Sequence, residues 1–230
     1  YYAHTRFHIR MWFNENNSMC IKKTETLKCV SGLVDQRMAW PRGRALGGTS
    51  IINYMIHVRG NKQDYNRWEK MGNPGWSYRD VFKYFIKSED FLVKQQDKGY
   101  HATGGYLGVQ DVAFHTESVH AFVKAAQEAG HPFVDYNGRK QMGVSYVHAT
   151  TRRGLRSSAE AAFLRPIRDR KNLKILTKSR ATRVLIDGHR RAFGVEFLKD
   201  GKYHTAIANK EVVLSAGAFN SPQLLMLSGI

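Results

Sequence analysis

The chain is poor in several features that would narrow its chemistry. Two cysteines, Cys20 and Cys29, among 230 residues are too few for a disulfide scaffold and show no metal-ligand spacing. The ten histidines are dispersed, with no His-x-x-x-His pair on a plausible helix, so no metal site is expected. No apolar run approaches the roughly 20 residues that cross a bilayer, so no membrane span is expected. Repeats, low-complexity tracts and linkers are absent too. Acidic residues are scarce, 19 Asp+Glu against 36 Lys+Arg, giving a formal net charge of +17. Such a balance suits nucleic acid, an anionic surface or an anionic cofactor. The basic residues are nevertheless scattered, with modest clusters at 152–156 and 165–174, and carry no zinc-finger, basic-zipper or RNA-recognition signature. They read as solvated faces, and no nucleic-acid partner is expected.

What is present belongs to a globular chain. Hydrophobic residues make up 42 % and aromatic residues 12 %, enough to build one large domain or two small ones. Residues 1–33 lack a period, because Arg, His, Asn and Lys interrupt every apolar cluster; they read as loop or short extended pieces. Residues 64–68 form a helical turn closed by Gly72-Asn73-Pro74-Gly75. Ser77 and Asp80 stand in capping-box spacing at the head of a helix over 77–88. A short strand follows Gly104-Gly105 over 106–109, and a second helix over 116–129 ends at Gly130. Residues 157–164 read as a third helix, capped by Ser157 with Glu160. The period then becomes strand-like at 173–177, 181–186 and 193–198, with Asp187-Gly188 and Asp200-Gly201 as turns: a β-meander. Residues 211–215 read as a buried strand, followed by a turn and a helix capped by Ser221 with Pro222 at its first position. This order gives an α/β class with α+β character.

Chemistry is most visible at residues 40–60, where Gly47-Gly48-Thr49-Ser50 precedes a short apolar segment carrying Asn53. Two glycines permit positive φ and close approach of a ligand to the main chain. Thr49 and Ser50 are good caps for the segment after them, and backbone N–H groups at such a turn favour an anionic group such as a pyrophosphate. A plain turn between two elements accounts for the same residues equally well.

Longer patterns give these residues a context. Gly43-Arg44-Ala45-Leu46-Gly47-Gly48-Thr49-Ser50-x-x-Asn53, continued by His57-Val58-Arg59-Gly60-Asn61 and Asp64-Tyr65-x-x-Trp68, resembles the first signature of the glucose–methanol–choline (GMC) oxidoreductases. Ser215-Ala216-Gly217-Ala218-x-Asn220-Ser221-Pro222-Gln223-Leu224-Leu225 resembles the second. Asp135-Tyr136-Asn137-Gly138, Arg156-Ser157-Ser158 and Ala181-Thr182-Arg183-Val184 are similar to the family as well, and the detail is nearest to insect dehydrogenases of the glucose dehydrogenase type. The resemblance covers residues 30–230. It implies a discontinuous FAD-binding domain, with segments at about 34–60 and 173–230, and an antiparallel-sheet substrate domain with helical segments at about 61–172. It also implies hydride transfer from the CH–OH group of an alcohol or sugar to flavin, with a quinone-like carrier or oxygen as electron acceptor.

Carried over residue by residue, the resemblance places Arg44, Leu46, Gly47, Gly48, Thr49 and Ser50 on FAD. It sets Asn53, Tyr54, Met55 and Ile56 beside the flavin, and the main chain of Val184 at the adenine end. Some relatives anchor FAD covalently through a His just before the motif Asn; here that residue is Ile52, so the flavin is expected to be non-covalent. His57 reads as structural. Relatives begin with a Gly-x-Gly-x-x-Gly unit, and their catalytic His and its partner lie beyond the second signature. The chain thus resembles an internal fragment of a protein roughly two to three times as long. It is expected to hold no catalytic residue and to be inactive alone. The insect likeness implies an extracellular location. A basic non-catalytic binding protein, or a degenerate family member, is the alternative.

Overall fold

The structure, a computed structural model, describes residues 11–13, 18–22 and 37–230, with side chains from residue 40 onward. Strands β1 (Met11–Phe13), β2 (Ser18–Lys22) and β3 (Arg37–Pro41) form an antiparallel sheet in that order. Strands β1 and β2 are the short extended pieces expected within residues 1–33; the remainder of that segment lies outside the described residues. The contact pattern divides the chain into two units, Tyr1–Asp169 and Arg170–Ile230.

In the first unit, α1 (Lys62–Lys70) replaces the expected single turn. The Asn61 side chain accepts from Gln63 N and starts the helix two residues before the expected turn. Helix α2 (Tyr78–Ser88) begins as expected: Ser77 Oγ accepts from Asp80 N and donates to Asp80 Oδ2 at 2.6 Å. Helix α3 (Glu117–Glu128) likewise matches its apolar period. Strands β4 (Glu89–Leu92) and β5 (Leu107–Asp111) pair in parallel, and β6 (His148–Ala149) adds antiparallel to β5. Phe91, Val93 and Val109 form the core of this sheet. Strand β5 runs two residues past the expected end, because β6 supplies partners to Gln110 and Asp111. A hairpin of β7 (Thr151–Arg152) and β8 (Leu155–Arg156) comes next.

The expected helix at 157–164 is a π-helical turn over Glu160–Leu164, led in by Ala159. Its cap is Ser158, whose Oγ accepts from Ala161 N, whereas Ser157 Oγ accepts from Gly108 N on β5. Capping-box spacing favours Ser157, three residues before Glu160, but Gly108 N takes that hydroxyl and the cap passes to Ser158.

The second unit holds the meander, with the expected strands at 181–186 and 193–198 in place and its third strand after them, where one was expected before. It consists of β9 (Ser179–Ile186), β10 (Ala192–Lys199) and β11 (Lys202–Ile207), ordered β11-β10-β9. Residues 173–177 and 211–215 are not strands, since a strand needs a hydrogen-bonded neighbour and neither pairs with another among the described residues. The turn at Asp200-Gly201 instead folds β11 onto β10 in register Lys199↔Lys202. Helix α4 (Gly217–Leu227) starts before the expected Ser221 cap and carries Pro222 inside. Ser221 Oγ accepts from Ala216 N at 3.1 Å, so it serves the first turn from within. Among the described residues no helix is long and apolar enough to cross a membrane, and no group of three His, Cys, Asp or Glu is placed to hold a metal.

Candidate functional site

The glycine turn is a 3-10 helix, Gly48–Ile51, entered through two left-handed glycines, Gly47 at φ 94° and Gly48 at φ 54°. A Cβ on Gly43 would collide with Gly48 O, so the segment doubles back on itself. A Cβ on Gly48 would meet nothing within 4 Å, which leaves one face of the turn open to a ligand. Neither hydroxyl caps the turn's own helix. Thr49 Oγ1 accepts from Gly43 N at 3.4 Å. Ser50 Oγ donates to Gly47 O at 2.5 Å and accepts from Ala159 N at 2.9 Å. The capping role expected of Ser50 is therefore real but directed elsewhere, at the helical turn beginning at Ala159.

A second segment holds the turn. Arg156 Nη1 donates to Ser50 O at 3.2 Å, and to Asn53 O and Asn53 Oδ1, both at 2.8 Å. Asn53 Oδ1 also accepts from Met55 N, bending the chain so that Met55 takes φ 62°. From there residues 55–59 form an edge strap. Met55 O accepts from Thr150 N, Ile56 bridges Ala149, and His57 N donates to His148 O. Asn137 closes the run, donating from Nδ2 to His57 O and accepting at Oδ1 from Arg59 N.

The strap has two unlike faces. Tyr54 (93 % exposed), Ile56 and Val58 face outward, and Leu46 and Ile52 are exposed as well. Met55 and His57 are half-buried and Arg59 is buried. Of the residues carried over from the family signatures, Arg44, Leu46, Gly47, Gly48, Thr49, Ser50, Asn53, Tyr54, Met55 and Ile56 lie along one continuous run of the first unit. Val184 lies in the second unit and is described by itself. The residue is 6 % exposed, and its N–H donates to Ser228 Oγ at 2.9 Å.

Behind the strap lies a charged cluster that no sequence spacing announced. Arg59 Nη2 meets Glu89 Oε1 at 2.5 Å; the two side chains are 2 % and 1 % exposed. His101 stands between two carboxylates, with Nδ1 3.2 Å from Glu89 Oε1 and Nε2 2.8 Å from Asp135 Oδ2, and its ring stacks on Phe91. Carboxylates only accept, so His101 is assigned as the imidazolium, with both ring nitrogens donating. Arg59 Nη2 also lies 3.2 Å from His101 Nδ1; both are donors, and Oε1 is the acceptor they share. Asp135 Oδ2 further accepts from Asp97 N, and Asp135 Oδ1 from Asn137 N. Glu89, Phe91 and Val93 share one strand face. That alternation was the available signal: whatever buries Phe91 also buries Glu89.

Each titration in this cluster has a physical cause. Burial alone would push the His101 pKa down, but hydrogen bonds to Asp135 and Glu89 outweigh it and raise it. Burial would raise Glu89 and Asp135; the bonds from His101 and Arg59 hold Glu89 below its usual range, and those from His101 and Asp97 do so for Asp135. His57 is lowered to about 4, mainly by burial, and burial also lowers His148. His57 lies 3.8 Å from Glu89, but being neutral at pH 7 it forms no ion pair there.

Comparison with known proteins agrees with this architecture. The sequence pattern of the GMC oxidoreductase family matches residues 17–230. Glucose dehydrogenase [FAD, quinone] of Drosophila melanogaster is 45 % identical over 209 residues, covering 90 % of this chain and 33 % of that protein. Mitochondrial choline dehydrogenase of Homo sapiens is 43 % identical over 200 residues, covering 86 % and 33 %. Among solved structures, pyridoxine 4-oxidase from Mesorbium loti superposes with TM-score 0.80 at 30 % identity, over 93 % of this chain and 41 % of that one. An FAD-dependent oxidoreductase from Chaetomium thermophilum superposes with TM-score 0.78 at 29 % identity, over 87 % and 37 %. The chain thus spans about a third of the length of the curated relatives it matches.

Proposed function

Because this chain belongs to the GMC oxidoreductase family, we propose that the complete protein oxidises the CH–OH group of an alcohol or sugar with non-covalent FAD. The observation that carries this is the turn open at Gly48 running into the outward apolar face of Tyr54, Ile56 and Val58. The residues present fit the group: left-handed glycines expose main chain, and the exposed apolar side chains offer a flat ring system a surface to cover. Bound there, FAD supplies the acceptor for the substrate hydride.

This chain's own residues bind and orient. Gly47, Gly48, Thr49 and Ser50 present main chain to the cofactor, with Arg44 and Leu46 beside them. Arg156 fixes Asn53, and through it the positions of Tyr54, Met55 and Ile56. Val184 serves through its main chain, with Ser228 Oγ as the competing partner of its N–H. None of His57, His101 and His148 is assigned the substrate proton: His101 and His148 are locked in the buried cluster, and His57 is turned inward toward it. The electron acceptor is a quinone-like carrier or oxygen.

The test is expression of the complete protein, with measurement of its visible absorbance and of dye-coupled oxidation of a panel containing glucose, choline and aromatic alcohols. A flavin band removed by denaturation without covalent residue, with turnover of at least one alcohol, is the expected result. The chain of residues 1–230 alone is expected to show no dye reduction. A complete protein that binds no flavin would overturn the proposal.

A further inference from the structure

The carboxylate of Glu89 is used unevenly. Oε1 accepts from Arg59 Nη2 at 2.5 Å, His101 Nδ1 at 3.2 Å and Ala102 N at 3.1 Å. Oε2 is buried and has no hydrogen-bond partner among the described residues, and the same holds for His57 Nε2 and Arg59 Nε. The three atoms belong to residues that meet at Glu89. His57 Nε2 is 3.8 Å from Oε2, and Arg59 approaches Glu89 through Nη2, the guanidinium nitrogen that shares an edge with Nε. Leaving a carboxylate oxygen and two nitrogens bare inside a protein is costly.

A separation of 3.8 Å is too long for a direct hydrogen bond. A molecule about 2.8 Å from each atom would be bonded to both, at an angle near a right angle that water accommodates. We propose that one internal water occupies this point, accepting from Arg59 Nε–H, donating to Glu89 Oε2, and bonded to His57 Nε2. Three hydrogen bonds are the usual complement of a buried water. The local charges identify the ligand as neutral. Arg59 and His101 balance Glu89 and Asp135, so an added cation would face the Arg59 N–H and an added anion the bare Oε2. The inward face of the strap is then tied to the charged cluster through a solvent molecule at His57 and directly at Arg59.

Two measurements on the unmodified protein test this. Crystals diffracting finely enough to place solvent should show a density peak within hydrogen-bond reach of all three atoms. In solution, the Arg59 Hε resonance should give a cross-relaxation peak to a long-lived water. In His57→Phe, which keeps a ring but loses Nε2, solvent exchange at Arg59 Hε should rise at least about tenfold while the Arg59–Glu89 contact persists. The inference fails if no peak is present and Oε2 has instead turned to bond His57 Nε2 or Arg59 Nε directly. It also fails if the peak has the short, many-ligand oxygen shell of a cation. If His57→Phe does not fold, the two measurements on the unmodified chain still decide.

Discussion

Replacing Glu89 with Gln removes one negative charge from the buried cluster while changing almost no volume. In the parent, Arg59 and the His101 imidazolium are balanced by Glu89 and Asp135; in Glu89→Gln two buried cations face one carboxylate. The amide oxygen keeps the three donors at Oε1, and its N–H₂ takes the place of Oε2. Removing one partner of a buried ion pair costs about 3–5 kcal/mol, because the other charge stays behind. For a unit of this size each kcal/mol moves the melting temperature by about 2–4 °C, so a fall of roughly 6–20 °C is expected. Urea unfolding monitored by the fluorescence of Trp68 and Trp76 gives the free energy, and calorimetry the melting temperature. Since the pair is 2 % and 1 % exposed, the loss should be nearly the same at low and high salt. The double variant Arg59→Met/Glu89→Leu removes both charges and should recover much of the loss. A Glu89→Gln variant within about 1 kcal/mol of the parent would refute a buried ion pair that holds this unit together.

Three further outcomes are expected. The raised His101 contributes stability that is full below its ordinary pKa and lost as pH rises through its raised value, whereas the lowered His57 and His148 contribute stability that is lost as pH falls below their ordinary value. Side-chain ¹⁵N spectra across pH should therefore show His101 protonated above 6.5 and His57 neutral down to about 4; below that, reprotonation of Glu89 and Asp135 adds to acid unfolding. Gly43→Ala should destabilise more than Gly48→Ala in parallel urea titrations. The first drives a Cβ into Gly48 O, while the second meets open space and carries only the left-handed strain of about 1–2 kcal/mol. Arg156→Met should cost about 1–2 kcal/mol and speed amide exchange at Met55, because the Asn53 bend loses its clamp.

Legibility differed from residue to residue. The helices over 78–88 and 117–128 could be read because cap and apolar period agree within one segment. The glycine turn was equally plain, since Gly47-Gly48 needs no partner to take positive φ. Strands were read less well: residues 173–177 have the composition of a strand but no neighbour among the described residues, while β11, polar and exposed, is a strand because β10 is beside it. Ser50 read as a cap for its own segment and caps another; Ser157 read as a cap and binds β5.

By itself the sequence determined the family, the glycine turn and the locally encoded helices, because signatures, caps and periods are properties of neighbours along the chain. Only the tertiary structure decided that Arg59, Glu89, His101, Asp135 and Asn137 share one buried site behind the strap, and that Arg156 holds Asn53 from 103 residues away. Those contacts depend on which distant segments burial brings together; the alternation of Glu89, Phe91 and Val93 marks a buried face but does not name the partners of the charge.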